Sequence, residues 1–167
     1  MSVKAGDQLP DGELKETTEF DSATQCAMAP KDVKVSDAVK GKKIAIFGVP
    51  GAYTPTCSAK HVPGYVQNFD ALKKGGLDEV WCIATNDPFV MAHWGRDQKG
   101  IGKIRFISDP TAEWSKALGL EQGGPGMGTR TKRFSMLVNN GKIEKMNVEE
   151  PGKFEVSDAE TMLKQLG

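Results

Sequence analysis

No apolar run in this chain approaches the length of a membrane-spanning helix, and its start, Met1-Ser2-Val3-Lys4-Ala5-Gly6, has no apolar signal core. A soluble protein is expected, working in the cytoplasm, or in an organelle if a transit peptide has been removed. An excess of one charge is also lacking: 22 Lys and Arg balance 22 Asp and Glu. Neither nucleic acid nor an anionic membrane is therefore expected as a partner. Three cysteines in 167 residues do not make a disulfide scaffold, which leaves single thiols for redox or structural use. Several cysteine and phosphate chemistries fail on spacing. There is no Cys-x-x-Cys pair. A Cys-x5-Arg phosphatase loop fails because Pro63 and Pro88 stand where arginine would be needed, and no Gly-Lys precedes Ser58 as a phosphate-binding loop requires. No metal and no cofactor is expected. Repeats and low-complexity tracts are absent, so residues 1–167 read as one domain, long enough for a substantial core.

What is present centres on Cys57. It ends the segment Pro50-Gly51-Ala52-Tyr53-Thr54-Pro55-Thr56-Cys57, directly after an apolar strand, Ile44 to Val49. Directly after it, Val62, Tyr65, Val66, Phe69 and Leu72 recur at helical spacing. The cysteine thus opens a helix, where unpaired N–H groups and the positive end of the dipole favour an anionic sulfur. A buried, inert cysteine is the competing reading. The polar company of Thr54, Thr56 and Ser58, in a loop stiffened by Pro50 and Pro55, favours the reactive one.

Elsewhere strands and helices alternate. Glu13 to Phe20 and Lys31 to Val35 read as an N-terminal hairpin, with Ser36 as the cap of a brief helix. Glu79 to Ala84 is a buried strand, and Asp87 with Pro88 caps and opens a helix through Trp94. Ile104 to Ile107 is a strand and Ala112 to Leu118 a short helix. Asn140-Gly141 marks a hairpin between Phe134–Val138 and Lys142–Met146. Ser157 and Glu160 read as a capping box for the last helix. The pattern predicts an α/β fold, with a central mixed sheet flanked by helices. The Gly123-to-Gly128 run fits no nucleotide-binding motif and reads as a mobile loop near the rim of the site. Trp81, Trp94 and Trp114 read as core or interface, and Cys26 carries no assigned role.

Pro50, Thr54 and Cys57 together form the pattern Pro-x-x-x-Thr-x-x-Cys. Further stretches in order are Lys60-His61-Val62-Pro63-Gly64, Asn86-Asp87-Pro88-Phe89-Val90, Trp94-Gly95, Asp109-Pro110-Thr111 and Lys132-Arg133-Phe134-Ser135-Met136. On these the chain resembles, over nearly its whole length, a peroxiredoxin of the short type II kind, also called atypical or peroxiredoxin-5-like. The resemblance implies a thioredoxin-like fold and a thiol peroxidase that reduces hydrogen peroxide and alkyl hydroperoxides in antioxidant defence. Cys57 would be the peroxidatic nucleophile, cycling through a sulfenic acid. Thr54 Oγ, the Cys57 N–H and Arg133 would donate to the peroxide oxygens, and Pro50 would shield the pocket. Lowering a thiol from the ordinary 8.5 to about 6 raises the thiolate fraction at pH 7 by at most about thirtyfold, so the transition state needs these donors as well.

Some assignments stay open at this stage. Arg130, Lys132 and Arg133 read on composition alone as the solvated end of an edge strand. His61, four residues after Cys57, faces the same side of a helix as either a base or a structural hydrogen-bonding group. The spacing of Cys82 from Cys57 resembles that in plant and bacterial members, where the second thiol is sometimes the resolving one; its apolar strand argues against direct bonding. Glutathione with glutaredoxin is the expected electron donor, with thioredoxin as the other, and a homodimer is implied. A thiol-disulfide oxidoreductase or redox-regulated holdase on the same fold, and a noncatalytic binding module, are the alternatives.

Overall fold

The computed structural model describes residues 2–124 and 126–167. β1 (Glu13–Glu16) and β2 (Lys31–Lys34) pair as the expected N-terminal hairpin. α1 (Val35–Ala38) follows at once, and Ser36 is not its cap; the Ser36 N–H is taken instead by Asp11 Oδ1 at 2.9 Å. β3 (Lys43–Gly48) lies parallel to β4 (Glu79–Ala84), which lies parallel to β5 (Ile104–Ser108). β8 (Phe134–Asn139) runs antiparallel to β3 and turns into β9 (Lys142–Val148). The turn between them is the Asn140-Gly141 pair, with φ of 48° and 82°, the double left-handed geometry that this dipeptide favours. The seven strands order as β2-β1-β5-β4-β3-β8-β9, a mixed sheet.

Alternation along the central strands sorts the core into two layers. Ala45, Phe47, Val80, Cys82 and Ala84 face α2 (Val62–Gln67), α3 (Phe69–Lys74), α4 (Pro88–Asp97) and α6 (Ala159–Gln165). Ile44, Ile46, Trp81 and Ile83 face the N-terminal strands, α1 and α5 (Glu113–Leu118). All three tryptophans are buried. Asp87 caps α4 as expected, accepting from the Val90 N–H at 2.9 Å, and the helix continues past Trp94 to Asp97. The cap of α6 is Asp158, which accepts from Thr161 N; the Ser157 hydroxyl is spent on Glu149. The glycine run is not a plain loop. β6 (Glu121–Gly124) and β7 (Gly128–Thr131) pair as a separate two-stranded hairpin, with Pro125 outside the described residues.

One register fact places the site. Gly48, the last residue of β3, pairs with Phe134, the first of β8. The loop leaving β3 toward Cys57 and the segment carrying Arg133 into β8 therefore emerge side by side. A Cβ on Gly48 would lie 2.1 Å from Phe134 Cε1, so this close pairing needs glycine.

Candidate active site at Cys57

Helical backbone runs unbroken from Pro55 to Gln67, with its Cys57–His61 segment wound as a π-helix. Cys57 thus sits in the first turn of a helix, as its sequence context requires. The loop before it is braced from three directions. Asn86 Oδ1 accepts from the Ala52 N–H at 2.8 Å, Thr54 Oγ1 donates to Gly51 O at 2.7 Å, and Arg130 Nη1 donates to Pro50 O at 2.9 Å. A Cβ on Gly51 would stand 2.2 Å from that Arg130 nitrogen. Behind Cys57, the Trp94 indole N–H donates to Ser58 Oγ at 3.0 Å and ties the helix start to α4.

Arg133 approaches the sulfur from the segment that leads into β8. Its Nη2 donates to Cys57 Sγ at 3.0 Å, and its Nη1 lies 2.8 Å from His61 Nδ1. The His61 tautomer follows from its other nitrogen: Nε2 lies 3.0 Å from the Ser157 carbonyl, which only accepts, so Nε2 carries the proton and Nδ1 is the acceptor. Burial, and then the Arg133 charge, pull His61 down to about 3, so the ring stays neutral across the physiological range. It is therefore an orienting acceptor for Arg133, not a base for Cys57. Phe47 at 4.7 Å and Phe154 at 5.0 Å between ring centroids enclose the imidazole.

A cavity of about 350 Å³ opens onto this group, lined by Pro50, Thr56, Lys132, Arg133 and the segment from Val148 to Lys153. Arg133 links cavity and thiol, because it lines the one and touches the other. The sulfur itself is fully buried. Thr54 departs from its expected use: its hydroxyl proton is engaged by Gly51 O, so its lone pairs are left to accept from a hydroperoxide O–H. The Cys57 N–H donates to no backbone carbonyl among the described residues outside the helix itself.

Cys82 lies across from Phe47 in the sheet, in the same buried cluster as Cys57, and both are free thiols. Burial pushes the Cys82 thiol well up, with the neighbouring Cys57 adding to the rise and Arg133 opposing it. It is a poor nucleophile in this conformation. Among the described residues no group of three or more His, Cys, Asp or Glu side chains is arranged to hold a metal ion, and no helix is long and apolar enough to cross a membrane.

Pro50, Thr54, Cys57 and Arg133, picked out in the sequence, converge here, whereas Arg130 and the His61–Ser157 pairing were not foreseen. The comparisons with known proteins give the family. A redoxin domain matches residues 4–163. Peroxiredoxin-2D of Arabidopsis thaliana is 42% identical over 166 residues, 98% of each chain. The chloroplastic peroxiredoxin-2E of the same plant is 41% identical across 99% of this chain and 70% of its own. The structure of reduced Prx3 from Vibrio vulnificus in complex with hydrogen peroxide superposes with a TM-score of 0.89, at 37% identity and 99% coverage of both chains. With a thiol at a helix start, a guanidinium on its sulfur and these relatives along its full length, the chain belongs to the peroxiredoxins of the redoxin family.

Proposed function

We propose a division of roles at this site for the thiol peroxidase activity that comes with the family. Cys57 is the nucleophile. Its thiolate attacks the terminal oxygen of a hydroperoxide ROOH, an S–O bond forms as the O–O bond breaks, and the alkoxide or hydroxide leaves and takes from solvent a proton equivalent to the one the thiol released on ionising. Cys57 is left as a sulfenic acid. Arg133 holds the sulfur as thiolate and supplies charge where the breaking O–O bond becomes negative. The Cys57 N–H adds a second donor, and Thr54 Oγ accepts a hydrogen bond from the peroxide O–H. Pro50, having no N–H of its own, walls the mouth without competing for hydrogen bonds.

The observation that carries this reading is the Arg133 fork, with one nitrogen on Cys57 Sγ and the other on His61. A single guanidinium fixed at both amino groups keeps its direction as the sulfur changes charge. A disulfide-reducing or client-holding role on the same fold is weaker, because Cys57 is fully buried and the cavity reaches it through Arg133. A sulfur buried in this way suits a small peroxide better than a protein disulfide as the first substrate.

For regeneration, the helix start unwinds to bring the oxidised Cys57 out of its buried position; an external thiol then attacks the sulfenic acid, releasing water and forming a mixed disulfide, and a second thiol reduces that disulfide. Glutathione with glutaredoxin is the donor we favour over thioredoxin, because the buried Cys82 offers no ready intramolecular disulfide for thioredoxin to reduce. A homodimer and a cytoplasmic setting complete the proposal. Exposed Tyr53 and Phe89, on the Cys57 loop and the start of α4, supply apolar surface for a partner, and three free thiols suit a reducing compartment. The deciding experiment is peroxide consumption with each donor by wild type and Cys57→Ser. Loss of turnover in the variant is expected; retention of most of it rejects the assignment.

A further inference from the structure

Glu149 is a buried carboxylate at the mouth of the cavity, and no step of the peroxidase chemistry uses it. Four donors converge on it. Its Oε2 accepts from the backbone N–H of Glu155, Val156 and Ser157, each at 2.8 Å, and from Ser157 Oγ at 2.7 Å; Oε1 takes a further contact from Glu155 N at 2.9 Å. Burial opposes its charge, but the Ser157 hydroxyl and these backbone groups outweigh burial and hold the carboxyl below its ordinary value.

These bonds close a ring. The Glu149 N–H donates to the Arg133 carbonyl at 3.0 Å, so Glu149 is anchored beside Arg133 in the backbone. Its side chain grips Ser157, the Ser157 carbonyl accepts from His61 Nε2, and His61 Nδ1 accepts from Arg133 Nη1. The path starts at the Arg133 backbone and returns to the Arg133 guanidinium. The Tyr65 hydroxyl also donates to the Ser157 carbonyl, at 3.0 Å, so that oxygen has a second reason to stay in place. The segment between Glu149 and Ser157 has no regular secondary structure, and β9 ends before it. Its conformation near the site therefore depends on the carboxylate.

We propose that Glu149 is a positioning residue for the reaction: it clasps the 150–157 segment so that the Ser157 carbonyl fixes His61, and His61 aims Arg133 at the Cys57 sulfur and the peroxide. The inference rests on the roles given above to Cys57 and Arg133. A carboxylate suits this task because its charge strengthens every one of these bonds, whereas a neutral amide oxygen accepts more weakly and its NH₂, standing where Oε1 is, would meet the Glu155 N–H. The charged groups sharing the mouth are Lys132, Arg133, Glu150 and Lys153, and none of these accompanies the backbone donors on Glu149.

The test is Glu149→Gln, with the peroxide rate and the pH profile of Cys57 alkylation by iodoacetamide both measured at 25 °C. A drop of about tenfold or more in the peroxide rate is expected from a misaimed guanidinium. The alkylation midpoint should move to higher pH. In an Arg133→Lys background, which has no fork to aim, the same change should cost less than about twofold. A lower melting temperature with an unmoved rate and midpoint would make Glu149 merely structural and overturn the proposal, as would a full additional loss in the Arg133→Lys background. If Glu149→Gln does not fold, Ser157→Ala removes one donor to Oε2 and keeps the Ser157 carbonyl. A smaller loss of the same kind is then expected, and a folded Ser157→Ala with unchanged rate and midpoint overturns the idea. A Cys57→Ser protein that still consumes peroxide would instead defeat the underlying assignment.

Discussion

His61→Gln should make the protein less sensitive to mild acid, by an amount that follows from the burial of the ring. His61 has an ordinary value of 6.5 and is lowered to about 3 in the folded protein. Between those values the unfolded chain binds a proton that the folded chain refuses, so stability falls as the pH falls. From pH 7.5 to 5.0 that loss is about 2 kcal/mol, and its slope approaches about 1.4 kcal/mol per pH unit. Stopping at pH 5.0 leaves out Glu149, whose lowered carboxyl withdraws its contribution only below its ordinary value of 4.5. Gln offers one donor for the Ser157 carbonyl and one acceptor for Arg133 but does not titrate. Urea melts of both proteins at a fixed concentration, at several pH values across the window, give the comparison. The wild type should lose about 2 kcal/mol more than the variant, and equal losses would mean that the imidazole is not enclosed as described. The same variant bears on catalysis. An orienting role predicts a peroxide rate within about fivefold of wild type, whereas a general base would cost about a hundredfold or more.

Arg133→Lys should slow peroxide reduction by about 10- to 150-fold, the equivalent of one lost charge-assisted bond, because an ammonium cannot hold Cys57 and His61 together. Stopped-flow rates decide it, and an unchanged rate removes Arg133 from the site. Cys82→Ser should retain most turnover with glutathione and glutaredoxin; a stall after one turnover with every donor, together with a Cys57–Cys82 link in the oxidised wild type, would make Cys82 the resolving thiol. Gly48→Ala should destabilise the fold by about 1–3 kcal/mol in denaturant melts, since the new methyl meets the Phe134 ring. Sedimentation at micromolar concentration should show a dimer, and a persistent monomer would contradict the proposed contact.

The parts of the fold that could be read in advance are those where one residue or dipeptide satisfies a local requirement. Asp87 before Pro88 caps α4, and Asn140-Gly141 turns β8 into β9, because the chemistry in each case lies within a few residues. The same holds for Cys57, whose strand-loop-helix setting is contiguous. Ser157 shows where this reasoning fails. As a serine three residues before Glu160 it fits a capping box, but a buried carboxylate eight residues earlier competes for its hydroxyl and wins, and Asp158 takes the cap. The Arg133 contacts span 72 and 76 residues, and only the β3–β8 register brings them about. Nothing local distinguishes Glu149 from the exposed Glu150 beside it.

The choice of a neutral imidazole as the second partner of Arg133 has an electrostatic consequence. A carboxylate at the position of His61 would orient the guanidinium equally well, but its negative charge would stand against the thiolate and cancel much of the field that Arg133 directs at the sulfur. His61, held uncharged by burial and by Arg133 itself, accepts the hydrogen bond without that cost. The carboxylate that organises the group, Glu149, stands two hydrogen bonds further back, beyond Ser157 and His61. Direction is thus supplied at the guanidinium without a carboxylate hydrogen-bonded to it. In the proposed reaction thiolate formation yields at most about thirtyfold in rate, so this arrangement matters most in the transition state, where the charge moving onto the departing oxygen would be met by an arginine to which no carboxylate is hydrogen-bonded.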